Sequence, residues 1–508
     1  MKITVKSGNI ENFTTQVIII PVFSDAANSE EDFKKLDNLL GRALTRSLET
    51  NAWMTKEGNF EAFFTNKRIK ADRVVLAGLG KQSELDVEKV RQFGGNLVGY
   101  LKAKKTKEFA ILAFGFLVKD TGVEHVTQAF LEGALLRDYS FDVYKSKKQK
   151  NDKNEEEVKL EQLYLIPQHA HDTNKLGEGV GRANIICSAV TLVRDLVNLP
   201  ANIVNPAYLA KRAKEEAKTA HVLCKVLDLK AIQKEKMGCI LGVAQGSINE
   251  PKFIVLEYNG AKKTQAPLVL VGKGVCFDSG GINLKPTGFI ENMKDDMAGA
   301  ATVMAAVLAC AKLKLPIHII SLMPCVENMP GGHAYRPGDV IVSASGKTIE
   351  VKNTDAEGRL ILADALWYAE RYKPSAIVDV ATLTGACMVA LGAKVTGIMS
   401  NNDDLVKKLL DASKKTAELA WQLPIFKEHI EDIKGDLADI NNVGHPKGYG
   451  GAITAAAFLK EFVGDAHWAH LDIAGPSWTD TQGAYLSKGG TGTGVRLLVQ
   501  FLEDQSKN

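Results

Sequence analysis

The sequence predicts an α/β protein of two domains: a smaller N-terminal α/β domain, residues 1–165, and a larger C-terminal domain, residues 166–508, whose sheet is mixed and largely parallel, with flanking helices. Three observations carry this expectation. The chain has 508 residues, more than one ordinary core accommodates. Its second half alternates strand and helix with short joints, the pattern of parallel pairing. Between the halves runs KSKKQKNDKNEEEVKLEQ, Lys145 to Gln162, which has almost no apolar content and is expected as an exposed loop near a domain boundary.

The elements come in order along the chain. Val17 to Phe23, Val74 to Ala77 and Phe109 to Phe114 are apolar runs of strand length, and Leu163 to Pro167 adds one more. Asp172 to Val197 reads as a helix, and Pro200 and Pro206 punctuate the chain after it. Pro267 to Gly272 is a strand. Ala298 to Lys312 is an alanine-rich helix that ends near Pro316. Pro316 to Pro324 and Thr348 to Lys352 are strands, a helix runs from about Arg359 to Tyr372, and Ala376 to Thr382 is a strand. In such sheets ligands bind beyond the carboxyl ends of the strands.

Bulk composition removes several function classes. Hydrophobic residues make up 45% of the chain, the level of a soluble globular protein, and the net charge of +3 gives no support to a nucleic-acid or membrane-surface protein. The seven cysteines, Cys187, Cys224, Cys239, Cys276, Cys310, Cys325 and Cys387, form no CxxC pair, which fits a reducing, cytoplasmic compartment. The opening segment MKITVKSGNIENF has no apolar signal core, and no run is long enough to span a bilayer.

Two polar clusters fall at strand ends. VGKGVCFDSGGINLKP, Val271 to Pro286, carries Lys273, Asp278 and Lys285 among glycines 272, 274, 280 and 281, which permit tight turns and close approach to a ligand. ENMKDDMAGAA places Asp295 and Asp296 at the start of the alanine-rich helix. NTDAEGR, Asn353 to Arg359, supplies Asp355 and Glu357, which share a side only if their segment is extended. Brought together, Asp278, Asp296, Asp355 and Glu357 are four like charges that two divalent cations would cancel. Oxygen-rich donors suit Zn, Mn, Mg or Co. None of the ten histidines falls in these clusters. From the residues alone, a metal site and an ordinary set of helix-start and loop acids both stay open.

The motifs VGKGVCFDSGGINLK, MKDDMAGAA and NTDAEGRL resemble the signatures of the leucyl aminopeptidase family, the cytosolic metallo-aminopeptidases. NMPGGHAYRPGDVI, VRDLVNLPANIVNP and HWAHLDIAGPSW resemble further segments, so the similarity runs from about residue 190 to the C-terminus. The resemblance implies a two-metal peptidase, with Zn or Mn, that removes leucine-like residues from peptide N-termini. It assigns Lys273, Asp278, Asp296 and Glu357 to one ion. Asp278, Asp355 and Glu357 hold the other, helped by the carbonyl of Asp355. Lys285 and Arg359 are implied as the catalytic residues outside the ligand set, with a bicarbonate ion on Arg359 shuttling the proton. Met293, Thr382, Gly385 and Ala474 are implied as the lining of the substrate pocket. A homohexamer, a dimer of trimers, is implied by the family alone. Ala298 departs from the glycine usual in relatives but is no ligand.

A lysine ligand must be neutral, although free lysine has a pKa of about 10.4; a nearby dication and burial favour the amine. Protonated Lys285 would then face the developing oxyanion.

Rival readings come from other classes. FDSGG resembles the segment around the nucleophile of chymotrypsin-like proteases, but the strand–helix alternation argues against their all-β fold. A two-metal phosphoesterase shares the donor chemistry. A DNA-binding regulator would use the basic run Leu101 to Phe109, simplest as a solvated helix end. GEGVGR, Gly177 to Arg182, is a fragment of a dinucleotide pattern; Cys276 reads as a core thiol, and His333 and His445 as loop residues.

Overall fold

The protein is described by a computed structural model covering residues 1–26, 31–113, 118–146, 159–261, 265–446 and 448–507. It comprises two compact units: Met1–Cys187 with Thr481–Ser487, and Ser188–Asp480 with Lys488–Asn508. Phe114 and most of the charged run, residues 147–158, lie outside the described residues.

The first unit is built on a six-stranded sheet of β1 (Lys2–Val5), β2 (Val17–Val22), β3 (Phe60–Phe64), β4 (Arg73–Gly78), β5 (Glu108–Leu112) and β6 (Gln162–Ile166), in the order β1-β6-β5-β2-β4-β3. All pairings are parallel except β3 with β4. Continuous apolar runs suit such strands because both faces are covered. Val17, Ile19 and Phe109 face Phe93, Leu97 and Phe130 of the helices Val87–Ala103 and Val123–Asp138. Ile18, Ile20 and Leu76 face Phe33, Leu36 and Leu44 on the other side. The basic run closes the first of these helices: Lys102 pairs with Asp138 at 2.9 Å, and Lys104 and Lys105 are exposed. GEGVGR lies inside the continuous helix Thr173–Asn198 and forms no phosphate-type loop.

The second unit holds a nine-stranded sheet. Its strands are β7 (Leu223–Leu227), β8 (Lys252–Asn259), β9 (Leu268–Gly272), β10 (Gly274–Asp278), β11 (His318–Asn328), β14 (Ala376–Ala381), β15 (Thr396–Ser400), β16 (Ala420–Gln422) and β18 (Trp468–Asp472). The centre, β18-β14-β9-β11, is parallel, while β8 and β15 join antiparallel. The strand expected at Thr348 to Lys352 departs from the main sheet. It is β13 (Thr348–Glu350), in a three-stranded sheet with β12 (Val340–Val342) and β17 (Ile440–Asn441), because three residues pair back on the hairpin partner just before them. The strand expected to stop at Pro324 runs on to Asn328. Pro324 falls between the β9 ladder, which ends at Leu322, and the β10 ladder, which resumes at Cys325, so it interrupts no parallel pair.

The helix Ala298–Lys312 is buried on all sides except at its last residue. Small alanine side chains let it sit between the sheet and the helix Val495–Ser506. Below the sheet's carboxyl edge, β14 and β18 are cross-linked by a buried polar group. His470 Nδ1 lies 2.5 Å from Asp379 Oδ1, and Trp468 Nε1 donates to Asp379 Oδ2 at 2.6 Å. Burial alone would lower the His470 pKa, but the Asp379 carboxylate outweighs it and the net shift is upward from 6.5. Its stabilising contribution is therefore complete below 6.5 and is lost as pH rises through the higher folded value. The unfolding midpoint is expected to fall as pH rises above that range, and His470→Gln to remove this part of the slope. An unchanged slope in thermal scans of the variant would contradict the assignment.

Candidate active site

The carboxyl ends of β9, β10 and β14 open onto one polar cluster. Lys273 follows the last residue of β9, and its N–H donates to Val380 O at 3.0 Å, which anchors it between β9 and β14. Asp278 ends β10, and Lys285 follows after a turn through Gly280 and Gly281. Asp296 stands just before the helix Ala298–Lys312. Asp355 and Glu357 precede the helix Gly358–Ala369. They are not on an extended segment. Asn353 closes a turn by accepting the N–H groups of Asp355 (side chain, 3.0 Å) and Ala356 (backbone, 3.3 Å), and the helical conformation of Glu357 brings both carboxylates to one side.

The expected residues converge. Asp278, Asp355 and Glu357 each offer a carboxylate oxygen, all within 4.8 Å of one another. Lys273 Nζ lies 2.7 Å from Asp296 Oδ1 and 2.9 Å from Glu357 Oε1, and donates to Thr382 O at 2.8 Å. Lys285 Nζ lies 2.8 Å from Asp278 Oδ2 and 2.6 Å from Asp355 Oδ1. At such separations each pair of like charges repels by roughly 3 kcal/mol at an effective dielectric of 20, so the cluster depends on positive charge. The lysines supply part of it. Burial would lower the Lys273 and Lys285 pKa values, yet the carboxylates outweigh it and both are raised, so both are ammonium groups. Burial first, and then the Glu357 charge, pushes Asp278 up to about 7. Burial also raises Asp296; burial works the same way on Glu357, but Lys273 and Lys285 outweigh it and the net shift there is downward.

Fully ionised, the four carboxylates outnumber the two ammonium groups, so that state calls for further positive charge. Asp296 Oδ2 is buried without a hydrogen-bond partner among the described residues. An orphaned buried carboxylate oxygen beside a triad of carboxylates fits a hard or borderline divalent cation. Arg359 opens the same helix as Gly358. Its Nη1 donates to Asn442 O at 2.9 Å, and its Nε is buried without a partner among the described residues. Burial lowers its pKa to about 10. A guanidinium with a free donor at a helix start suits a planar anion.

Several residues that sequence reasoning missed hold this arrangement. Asn328, fully buried at the end of β11, donates to Asp278 Oδ1 at 2.8 Å and to Thr354 O at 3.0 Å. Thr354 binds Gly280 O and Asn283 through its side chain, and Tyr335 donates to its carbonyl. The Thr382 hydroxyl donates to Asp296 Oδ1 at 2.7 Å, so one implied pocket residue joins the cluster directly. Ala474 is tied to the Thr382 strand end through Asp472. Met293 is half-buried just before Asp296, and Gly385 is exposed at the start of the helix Gly385–Leu391. Asn328 and Asp472 fall inside the family-like segments NMPGGHAYRPGDVI and HWAHLDIAGPSW, but nothing in the sequence marks their role beyond a polar residue closing an apolar strand. Ser279, the serine of FDSGG, donates to Asn328 O at 2.7 Å and is buried, as a structural hydroxyl is. Burial pushes the Cys276 thiol well up, as in a core position.

Carboxylates and lysines converging at the carboxyl edge of a mixed sheet make a charged site where open α/β sheets bind ligands. Comparison with known proteins gives the family. The model described as "Cytosol aminopeptidase family, catalytic domain" matches residues 191–499, and the N-terminal domain model of the same family matches residues 19–148. The chain belongs to the cytosol aminopeptidase family, and it is a peptidase. A "Probable cytosol aminopeptidase" of Geobacter sulfurreducens is 43% identical over 504 residues, covering 99% of each chain. Another, of Azotobacter vinelandii, is 42% identical over the full length of both. Among solved structures, a point mutant of tomato leucine aminopeptidase superposes with TM-score 0.84 at 32% identity, covering 99% of this chain and 96% of that one. A bottromycin maturation enzyme in complex with Mn gives TM-score 0.82 at 31% identity, covering 97% and 100%.

Gly358, between Glu357 and Arg359, explains part of the local sequence. A Cβ there would meet Lys273 Cε at 2.5 Å and Nζ at 2.7 Å. The lysine is pinned by three partners, so Gly358→Ala must push its amine out of the cluster. Alanine favours the helix by about 1 kcal/mol, so the variant is expected to fold. Its hydrolysis of an aminoacyl anilide is expected to fall by at least about 10²-fold, as when reacting groups are misplaced by an ångström. Near-normal turnover in a folded variant would contradict this role.

Proposed function

We propose that this chain is a metal-dependent aminopeptidase. It releases the N-terminal residue of peptides, favours leucine-like apolar side chains, and uses two divalent ions, Zn or Mn. The observation that carries the reading is the convergence of Asp278, Asp355 and Glu357 within 4.8 Å, beside the orphaned oxygen of Asp296. The manganese complex of the bottromycin enzyme and the leucine aminopeptidase from tomato support the metal and the residue preference.

Lys273, Asp278, Asp296 and Glu357 would hold one ion; Asp278, Asp355 with its carbonyl, and Glu357 would hold the other. Bound there, such ions supply Lewis acidity and a water acidic enough to attack near neutral pH. Lys273 serves as a ligand only after giving up its proton. Lys285, 15% exposed, keeps its ammonium and faces the oxygen of the scissile carbonyl, where negative charge develops. The substrate's α-amine confines cleavage to the N-terminus. Arg359 would hold a bicarbonate through its Nε, which has no partner among the described residues, and so supply a proton acceptor. Met293, Thr382, Gly385 and Ala474 would line the side-chain pocket. Residence in the cytoplasm and assembly as a homohexamer complete the reading and rest on family resemblance.

Chelation is expected to abolish hydrolysis of leucine p-nitroanilide, and added Mn or Zn to restore it, with two ions per chain by elemental analysis. Activity on p-nitrophenyl phosphate instead would favour the phosphoesterase reading. Lys285→Ala is expected to lower kcat by about 10²- to 10³-fold, the effect of removing one oxyanion donor, with the metal content intact. A Lys285 variant that loses its metals would show a structural role instead.

A further inference from the structure

The last residue of β18, Asp472, belongs to none of the implied ligand, catalytic or pocket positions, yet it is fully buried. Its Oδ1 accepts the N–H groups of Leu383 and Ala474, both at 3.1 Å, and its Oδ2 accepts the Thr384 hydroxyl at 2.7 Å. Thr384 Oγ1 in turn accepts the Cys387 N–H at 3.1 Å and so caps the helix Gly385–Leu391. The ladder between β14 and β18 ends at the pair Ala381 and Asp472. Beyond it the two chains leave the sheet as the segments bearing Thr382, Gly385 and Ala474. The Ile473 N–H still donates to Ala381 O at 2.8 Å; past that bond, the Asp472 carboxylate spans both segments.

We propose that Asp472 is the positioning residue that sets the shape of the substrate side-chain pocket, and with it the preference for leucine-like over small N-terminal residues. The inference rests on the aminopeptidase reading and on Thr382, Gly385 and Ala474 as pocket lining. A buried carboxylate taking three uncharged donors makes strong, directional bonds. It fixes the separation of the two pocket walls, and it holds the N-terminal turn of the helix that carries Gly385. Asp472 reaches no metal-ligand side chain by any hydrogen bond or ion pair among the described residues. Its direct bonds go to the two walls, while its charge also acts on Arg359. A large side chain needs both walls in place, whereas a glycine side needs neither.

The test uses the metal-loaded full chain and the p-nitroanilides of leucine, alanine and glycine. Asp472→Asn keeps one acceptor and places an amide donor against Thr384. It is expected to raise KM for the leucine substrate about tenfold, to change kcat by less than about threefold, and to reduce the leucine-over-alanine ratio of kcat/KM by about fivefold or more. Metal content should not change. Thr384→Val, which removes one of the three bonds to Asp472 together with the cap on the Cys387 N–H, is expected to move the ratio in the same direction by less, and it serves if the Asp472 variant does not fold. Equal losses on all three substrates, with the ratio unchanged, would overturn the proposal and leave Asp472 a scaffold residue. Failure of the wild-type chain on all three anilides would instead overturn the aminopeptidase reading, and this inference with it.

Discussion

The second unit is organised around concentrated negative charge at the carboxyl edge of a sheet. Asp278, Asp355 and Glu357 present oxygens within 4.8 Å of one another, with Asp296 across Lys273 from Glu357. Such a group is tolerated only when cations compensate it or some of its acids take up protons. Lys273 and Lys285 are therefore structural as well as chemical: each ammonium bridges two carboxylates. The same repulsion that burdens the fold makes the site an attractor for multivalent cations, so a cost to stability and a capacity for function share one origin.

Rigidity around the charges is the second constraint. Lys273 is held by its backbone between β9 and β14, and the glycine at 358 lets its side chain pass. Asn328 and Thr354 lock Asp278 and the turn that carries Asp355, using side chains that would otherwise be unpaired in the core. Thr382 does the same for Asp296. Buried polar groups of this kind are worth keeping only when each has a partner. Among the described residues, buried atoms without a hydrogen-bond partner occur in several parts of the chain, and Asp296 Oδ2, Asn328 Oδ1 and Arg359 Nε are those at the candidate site.

The β14–β18 pair shows how the sheet transmits order to its rim. The Asp379, His470 and Trp468 cross-link lies in the buried ladder, and Asp472 sits two residues beyond His470 on the same strand face. Period-two spacing thus stacks one buried polar contact above another, the upper one serving the loops. The first unit contains no counterpart to this cluster among its described residues, and its buried Arg91–Glu132 pair, at 2.8 Å, is an internal tie between two helices.

Much of this was legible in the chain itself. Local patterning determined the strands at Val17, Leu268 and Ala376 and the helix at Ala298, because apolar periodicity and helix propensity act over a few residues. The residue types at 273, 278, 285, 296, 355, 357 and 359 were readable as motifs for the same reason. Tertiary structure alone decided which of them meet. Residues more than eighty positions apart come within bonding distance only because parallel strands end at one edge, a fact of strand order that no local window contains. It also decided the turn that brings Asp355 and Glu357 to one side, the clearance that Gly358 leaves for Lys273, and the partners of Asn328 and Asp472. A polar side chain carries no mark in sequence of the neighbour that will satisfy it; burial chooses that neighbour after the chain has folded.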